Sequence, residues 1–344
     1  MANKASRRDM LIGGALLSTA PLLPAQAQPA GLVPLAPAAA LMQQTQAFLS
    51  LLDPQQRRTA IFQWDGPEWR SWNYFGVGGF IKPGLRLEQM RAEQKAAAWA
   101  MLATVLSPAG LEKARTVMLL QDILATQGNG AGQRSSERFS LSVFGEPAAQ
   151  GRWGVRLEGH HLTLSVSVHD GAIVSVTPSA FAALPNRVTS GKHAGLVTLK
   201  GEEQIARRLH ADLAPAVRKK AQISDRHLFN ILSYAGSERA NAKKVGIAAA
   251  DMSAAQRDLL WELVETYAVS HLVPALADAQ KKRVRSGDAG SVHFGWYGAN
   301  TAEQSFGYRV IADGFVVELG CIDDKAQHLH TIYNDLGNVL GRAS

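Results

Sequence analysis

The sequence predicts an α+β fold, an antiparallel sheet of central meander plus C-terminal strands with helices packed on it. Two observations carry that prediction. Helical and strand-like patterns are segregated along the 344 residues, whereas a parallel sheet needs them to alternate as βαβ units. The strand candidates also fall into a central block and a C-terminal block, and the central ones are joined by short Gly- or Pro-containing links, as in an antiparallel meander. A single domain over 39–344 follows, because the C-terminal strands alone make a poor core.

Taken in order, Ala39 to Leu52 reads as a helix closed by Asp53-Pro54, and a short strand is expected near Ala60 to Phe62. The stretch QWDGPEWRSWNYFGVGGF, 63–80, is too irregular for a helix, and its aromatics suggest a loop packed onto the body. Within it, Gly76-Val77-Gly78-Gly79 is too short to cradle a phosphate and reads as a turn. Leu87 to Leu106 is helical. Ser107-Pro108 then supplies an N-cap and a first helical residue for a second helix ending near Thr126. Gly128 to Ser136 is a polar, Gly-containing loop. The central strands are expected at Arg138–Phe144, Trp153–Leu157, His161–Val168 and Ala172–Thr177, followed by an extended loop from Pro178 to Gly195. Gly201 to Val217 is helical. Met252 to about Lys282 is a long helical pattern opened by Asp251 or Ser253 and interrupted by Pro274. The closing strands are Val292–Trp296, Phe306–Ile311, Phe315–Leu319 and His328–Tyr333.

The N-terminus reads MANKASRRDMLIGGALLSTAPLLPAQAQPA. A basic opening with Arg7-Arg8, an apolar run from Met10 to Leu23 and the small residues Ala25-Gln26-Ala27 form a signal of the twin-arginine type over 1–27. A Pro/Ala linker over 28–38 follows. The apolar run is too short to span a bilayer. The expectation is a soluble periplasmic or secreted protein, cleaved near Ala27, with no membrane anchor and with the twin-arginine export machinery as a partner. That route carries folded cargo, which permits a cofactor loaded before export.

Composition excludes several classes. The net charge of +7 is spread over small basic groups such as Arg218-Lys219-Lys220, each on or beside a helical pattern and without interleaved aromatics, so nucleic acid is not an expected partner. The single cysteine, Cys321, rules out an intrachain disulfide and a Cys-based zinc finger and reads as a small buried hydrophobe. No G-x-S-x-G elbow, Walker A loop or H-E-x-x-H motif occurs.

Chemistry points to the histidines. GRWGVRLEGHHLTLSVSVHDG, 151–171, alternates like a strand yet carries His160 and His161 side by side, and a strand sends neighbours to opposite faces. In FVVELGCIDDKAQHLHTIYND, 315–335, His328 and His330 are two apart and share a face. A hairpin register pairing even-numbered residues adds Glu318 to that face, and Asp335 lies just past the strand. Such a set suits one divalent first-row metal, whether zinc, copper or iron. The candidate ligands are His161, His328, His330 and Asp335. The candidate catalytic groups are Glu318 as base or further ligand, His160, and Arg309, whose planar fork suits a substrate carboxylate. Arg156 and Glu158 precede His160 at the same parity, as a pair that orients it.

The same residues resemble a family of exported bacterial and fungal proteins, domain of unknown function 3500. The resemblance is carried by Trp72-Asn73-Tyr74 with Gly84-Leu85, Phe144-Gly145-Glu146-Pro147, Trp153 through Leu162 with its G-H-H-L, and Thr177-Pro178. It continues in Glu202-Glu203, Phe294 with Trp296 and Gly298, Tyr308-Arg309, Phe315 with Glu318, and His328-Leu329-His330 with Asp335. It implies an architecture and a marked set of residues, without a reaction. The expected function is an exported metal-dependent enzyme acting on a small molecule, hydrolytic with zinc or oxidative with copper or iron. The alternatives are a metal-free periplasmic binding protein, with a pocket from Trp64–Phe80 and Arg309, and a metal-free enzyme using His and Glu as acid and base.

Overall fold

Nine strands of four or more residues form among the described residues. In a computed structural model these residues are 32–75, 82–130 and 132–342. The central block supplies β1 (Ser140–Phe144), β2 (Arg152–Gly159), β3 (Leu162–His169), β4 (Ala172–Ser175) and β5 (Ser179–Ala183). The C-terminal block supplies β6 (His293–Gly298), β7 (Phe306–Ile311), β8 (Phe315–Cys321) and β9 (Leu329–Asp335). All join one sheet in the order β6-β7-β8-β9-β5-β3-β2-β1, with β4 beside β3 and shorter strands at the margins. Pairing between these nine is antiparallel throughout, so the α+β architecture is as expected. The twin-arginine signal, the first residues of the linker and the Gly76–Gly79 turn lie outside the described residues.

The strand that joins the two blocks is β5, inside the stretch expected to be an extended loop. Its sequence, Ser-Ala-Phe-Ala-Ala, is poor in β-branched residues and sits between Pro178 and Pro185, so local propensity argues against a strand. Tertiary context overrides that preference, because β5 pairs with β3 on one side and β9 on the other. The β8–β9 register pairs Glu318 with Ile332 and Gly320 with His330, the even-with-even register anticipated. A second correction concerns the histidine pair. His160 and His161 form the two-residue turn between Gly159 and Leu162, which pair with each other; they are not strand residues on opposite faces. His161 adopts a left-handed φ of 73°.

The helices follow their caps more than their apolar periodicity. Asp53 does not only end the first helix (Ala39–Ser50). It caps a second one, Pro54–Ala60, accepting from the N–H groups of Gln55 and Gln56. The next helix starts at Ala92, five residues later than expected, after a 3₁₀ turn over Leu87–Gln89. Ser107 caps Pro108–Thr126 through the Gly110 N–H, as anticipated. Prolines divide the remaining helical patterns into Lys200–Asp212 and Pro215–Ala221, and into Ala254–Ala268, capped by Ser253, and Pro274–Val284.

The two faces of the sheet are covered differently. Leu319, Leu329 and Tyr333 belong to the main core shared with the helices. Ile332 and Ala180, of the other parity, pack against Trp69, Trp72, Tyr74, Ile231 and Leu340. Irregular chain therefore seals the second face, and a site there is built by loops on a rigid scaffold. Trp69 and Trp72 are fully buried, and truncating a side chain of that size costs about 3–5 kcal/mol.

His271 gives the fold a pH dependence. It lies edge-on to Phe181 and is buried. Burial, with Lys113 nearby, pushes its pKa down to about 3. The unfolded chain takes up this proton near pH 6.5 and the folded chain refuses it. Stability therefore falls as the pH drops below about 6.5, by up to about 1.4 kcal/mol per pH unit for this one group. Denaturant unfolding at pH 7.5, 6 and 5 should show a shallower decline for His271→Phe; an unchanged slope refutes the assignment.

Candidate metal centre

His161 and His330 are brought together across β5. The Ala182 N–H donates to the His161 carbonyl, 2.8 Å, and Ala182 pairs with His330. Strands sit about 4.8 Å apart, so the two histidines are roughly 9–10 Å apart at the main chain. That span suits two imidazoles reaching toward each other over a residue as small as alanine. The His161 N–H donates to the Tyr74 carbonyl, 2.8 Å, which fixes the turn against the aromatic loop. His328 enters one residue before β9.

The three Nε2 atoms meet. His161 to His328 is 3.0 Å, His161 to His330 is 3.3 Å and His328 to His330 is 3.1 Å. A metal about 2.0–2.1 Å from each nitrogen spaces tetrahedral ligands about 3.3 Å apart and right-angled ones about 2.9 Å apart. All three separations fall in that interval. None approaches the roughly 4 Å of two ligands in line through a metal at that bond length. The set could therefore cap one face of a metal and leave other positions open. Among the described residues these are the three that could hold a metal ion together.

Protons reinforce the geometry. Asn230 Oδ1 accepts from the Ile231 N–H at 2.8 Å and from the Tyr74 hydroxyl at 3.1 Å, which identifies that atom as the amide oxygen. His330 Nδ1, 2.9 Å away, must then carry the proton and donate it, leaving a bare lone pair on Nε2. Neutral His161 and His328 cannot both be protonated at Nε2 across 3.0 Å. At least two lone pairs thus face one another in a buried space, an arrangement that a cation relieves.

Burial keeps the cluster neutral. It lowers the pKa of His328 to about 4, against a smaller opposing pull from Asp323. Burial, with the neighbouring imidazoles, holds His161 and His330 well below the ordinary histidine range. Neutral imidazole is the form a metal binds.

His160 has a different environment. Its ring lies 3.7 Å from that of His161, centroid to centroid, and its Nδ1 lies 2.5 Å from Arg134 Nη1 and 2.7 Å from Gln121 Oε1. Nδ1 thus faces both a donor, the guanidinium of Arg134, and an acceptor, Gln121 Oε1, which itself accepts from Arg134 Nη1 at 2.9 Å. Burial and Arg134 bring its pKa down to about 3, so His160 is neutral at neutral pH.

The carboxylates of the candidate set lie elsewhere. Glu318 is fully buried and shares the histidine face. Its Oε2 accepts from the Leu232 and Ser233 N–H groups at 2.8 and 2.9 Å, and its Oε1 from Arg309 Nε at 2.7 Å. Arg309 is 3% exposed and also donates to the Asn241 carbonyl. Asp335 pairs with Arg283 at 3.1 Å and accepts from the Gly337 N–H. Arg156 lies 3.8 Å from Glu158, both buried, and spends its other donors on Ser165 and the carbonyls of Glu68 and Trp69.

Sequence reasoning did not single out Asn230, Gln121 or Arg134, which occupy unremarkable helix and loop contexts, or Lys82. That ammonium is bonded to Asn73, and burial lowers its pKa to about 8. The aromatic clustering around Tyr74 was the one available signal for this second layer.

A family model described as "Protein of unknown function (DUF3500)" matches residues 35–339. No curated protein and no solved structure matches.

Because burial keeps the ligand imidazoles neutral, zinc uptake should persist to about pH 5. Equilibrium dialysis across pH 4–8 measures this; loss of uptake centred near pH 6.5 shows instead that the ligands titrate as free imidazoles.

Proposed function

We propose, from the premise that the chain belongs to the family described as Protein of unknown function (DUF3500), that it is an exported metal-dependent enzyme. Its metal is held by His161, His328 and His330. One observation carries the reading: three Nε2 atoms, of the buried His161 and His330 and the half-buried His328, within 3.0–3.3 Å of one another, one of them fixed as a lone pair by Asn230. The facial arrangement favours zinc in a tetrahedral site with one open position. A zinc ion held this way lowers the pKa of bound water toward about 7, the chemistry of a hydrolase.

The protein's own groups have separable tasks in this reading. The three imidazoles bind. His160, packed against the His161 ring, offers a neutral imidazole to a small-molecule substrate. Glu318 and Arg309 support the site from behind, and Asp335 belongs to a separate ion pair. The metal-free binding alternative draws less support, because the guanidinium of Arg309 is already committed to Glu318 and Asn241. Export rests on the twin-arginine pattern at Arg7-Arg8. Among the described residues no helix is long and apolar enough to cross a membrane.

Elemental analysis of untagged protein should find about one equivalent of metal, with zinc predominant. The double variant His328→Ala/His330→Ala should remain folded and lose it. Hydrolysis of p-nitrophenyl ester and phosphoester probes should be abolished by a chelator and restored by zinc. Folded wild-type protein that neither contains nor takes up zinc, copper or iron overturns the proposal.

A further inference from the structure

Residues 227–241 form a strap across the loop-covered face of the sheet, and its course is set by glycines. A Cβ on Gly298 of β6 would lie 3.0 Å from the Cα of His227, one on Gly307 of β7 would lie 2.5 Å from the Cβ of Leu228, and one on Gly320 of β8 would lie 2.5 Å from the carbonyl carbon of Asn230. Three neighbouring strands thus lack side chains where the strap crosses them. The Cys321 N–H donates to the Leu228 carbonyl at 2.7 Å, which fixes the crossing.

Beyond Asn230 the strap is tied by the buried ion pair. Glu318 receives the N–H groups of Leu232 and Ser233, and Arg309 bridges Glu318 to the Asn241 carbonyl. Asn241 Nδ2 closes the circuit on the Leu232 carbonyl at 2.7 Å. The result is that Asn230 Oδ1 is presented to His330 Nδ1.

We propose that Asn230 is a positioning residue for the His330 ligand, and that the Arg309–Glu318 pair controls metal affinity by clamping the strap that carries Asn230. The proposal rests on the metal reading for its consequence, but not for its geometry. Partners of metal-binding histidines fix their tautomer, and removing one typically costs about 10- to 100-fold in affinity.

The test uses ¹⁵N NMR of the imidazoles in the metal-free full-length chain, together with zinc titration. Wild-type His330 should be protonated at Nδ1. Asn230→Ala should move this proton toward Nε2 and weaken zinc binding about 10- to 100-fold. Glu318→Gln should do the same through the strap. The double variant Asn230→Ala/Glu318→Gln should bind zinc no more weakly than Asn230→Ala alone, because both act through one contact. Should Glu318→Gln fail to fold, Gly320→Ala displaces the strap from beneath by crowding the Asn230 main chain, leaving the Arg309–Glu318 pair intact, and the same shift is expected.

Three results overturn the inference: a wild-type His330 protonated at Nε2; folded Glu318→Gln or Gly320→Ala with wild-type tautomer and affinity; or additive penalties in the double variant. If wild-type protein binds no metal while the tautomer still follows the strap variants, the metal reading fails and the positioning role stands.

Discussion

The main-chain row from His161 through Ala182 to His330 is the constraint on which the site depends. It fixes two ligands from distant parts of the chain at a separation set by two strand spacings. It works only because a strand of small residues lies between them. β5 is thus both the link that makes one sheet of two blocks and the spacer that decides whether the imidazoles meet. A bulkier residue at 182 would leave the topology available but fill the gap the rings need. His328, at the entry to β9, then completes a face of three nitrogens.

Around that row, hydrogen bonding divides the histidines by role. His330 is given a donor's task at Nδ1 by an amide oxygen whose identity a backbone N–H settles. His160 is held at Nδ1 between the Arg134 guanidinium and the Gln121 amide oxygen. Burial keeps both neutral, since it penalises the imidazolium in each. The fold retains buried, uncharged histidines that water would otherwise stabilise when protonated, an energetic cost that the proposed cation would offset.

The buried charges serve the scaffold. Arg309 and Glu318 share the histidine face, yet every strong bond they make is directed at the strap or at each other. A buried pair of this kind is weak evidence of net stability, but breaking it by removing one partner costs about 3–5 kcal/mol. Its value here lies in definition: the carboxylate gathers two backbone N–H groups that the irregular strap cannot satisfy by itself. Arg156 does similar work for the short helix Pro67–Arg70 by donating to the Glu68 and Trp69 carbonyls, so two segments on one face are each held by a buried arginine.

How much was legible in the sequence follows from the range of the forces involved. Local patterns determined the α+β class, the Ser107 cap and most strands to within a residue or two; Ser253 was one of two N-cap candidates beside Asp251, and the even-numbered register was the supposed one that places Glu318 and His330 on one face. They also marked His161, His328 and His330 as residues of interest, because paired histidines on strand-like segments stand out in any register. Local patterns misread 178–195, where alanines and prolines speak against a strand that only neighbours on both sides can stabilise. They read the histidine pair as strand residues, because a tight turn at His160-His161 depends on a bond to Tyr74 far away in sequence. The hydrogen-bond partners of these rings, Asn230, Gln121 and Arg134, carry no periodic or spacing signal. Their roles arise from distances between remote segments, and such distances exist only once the chain has closed on itself.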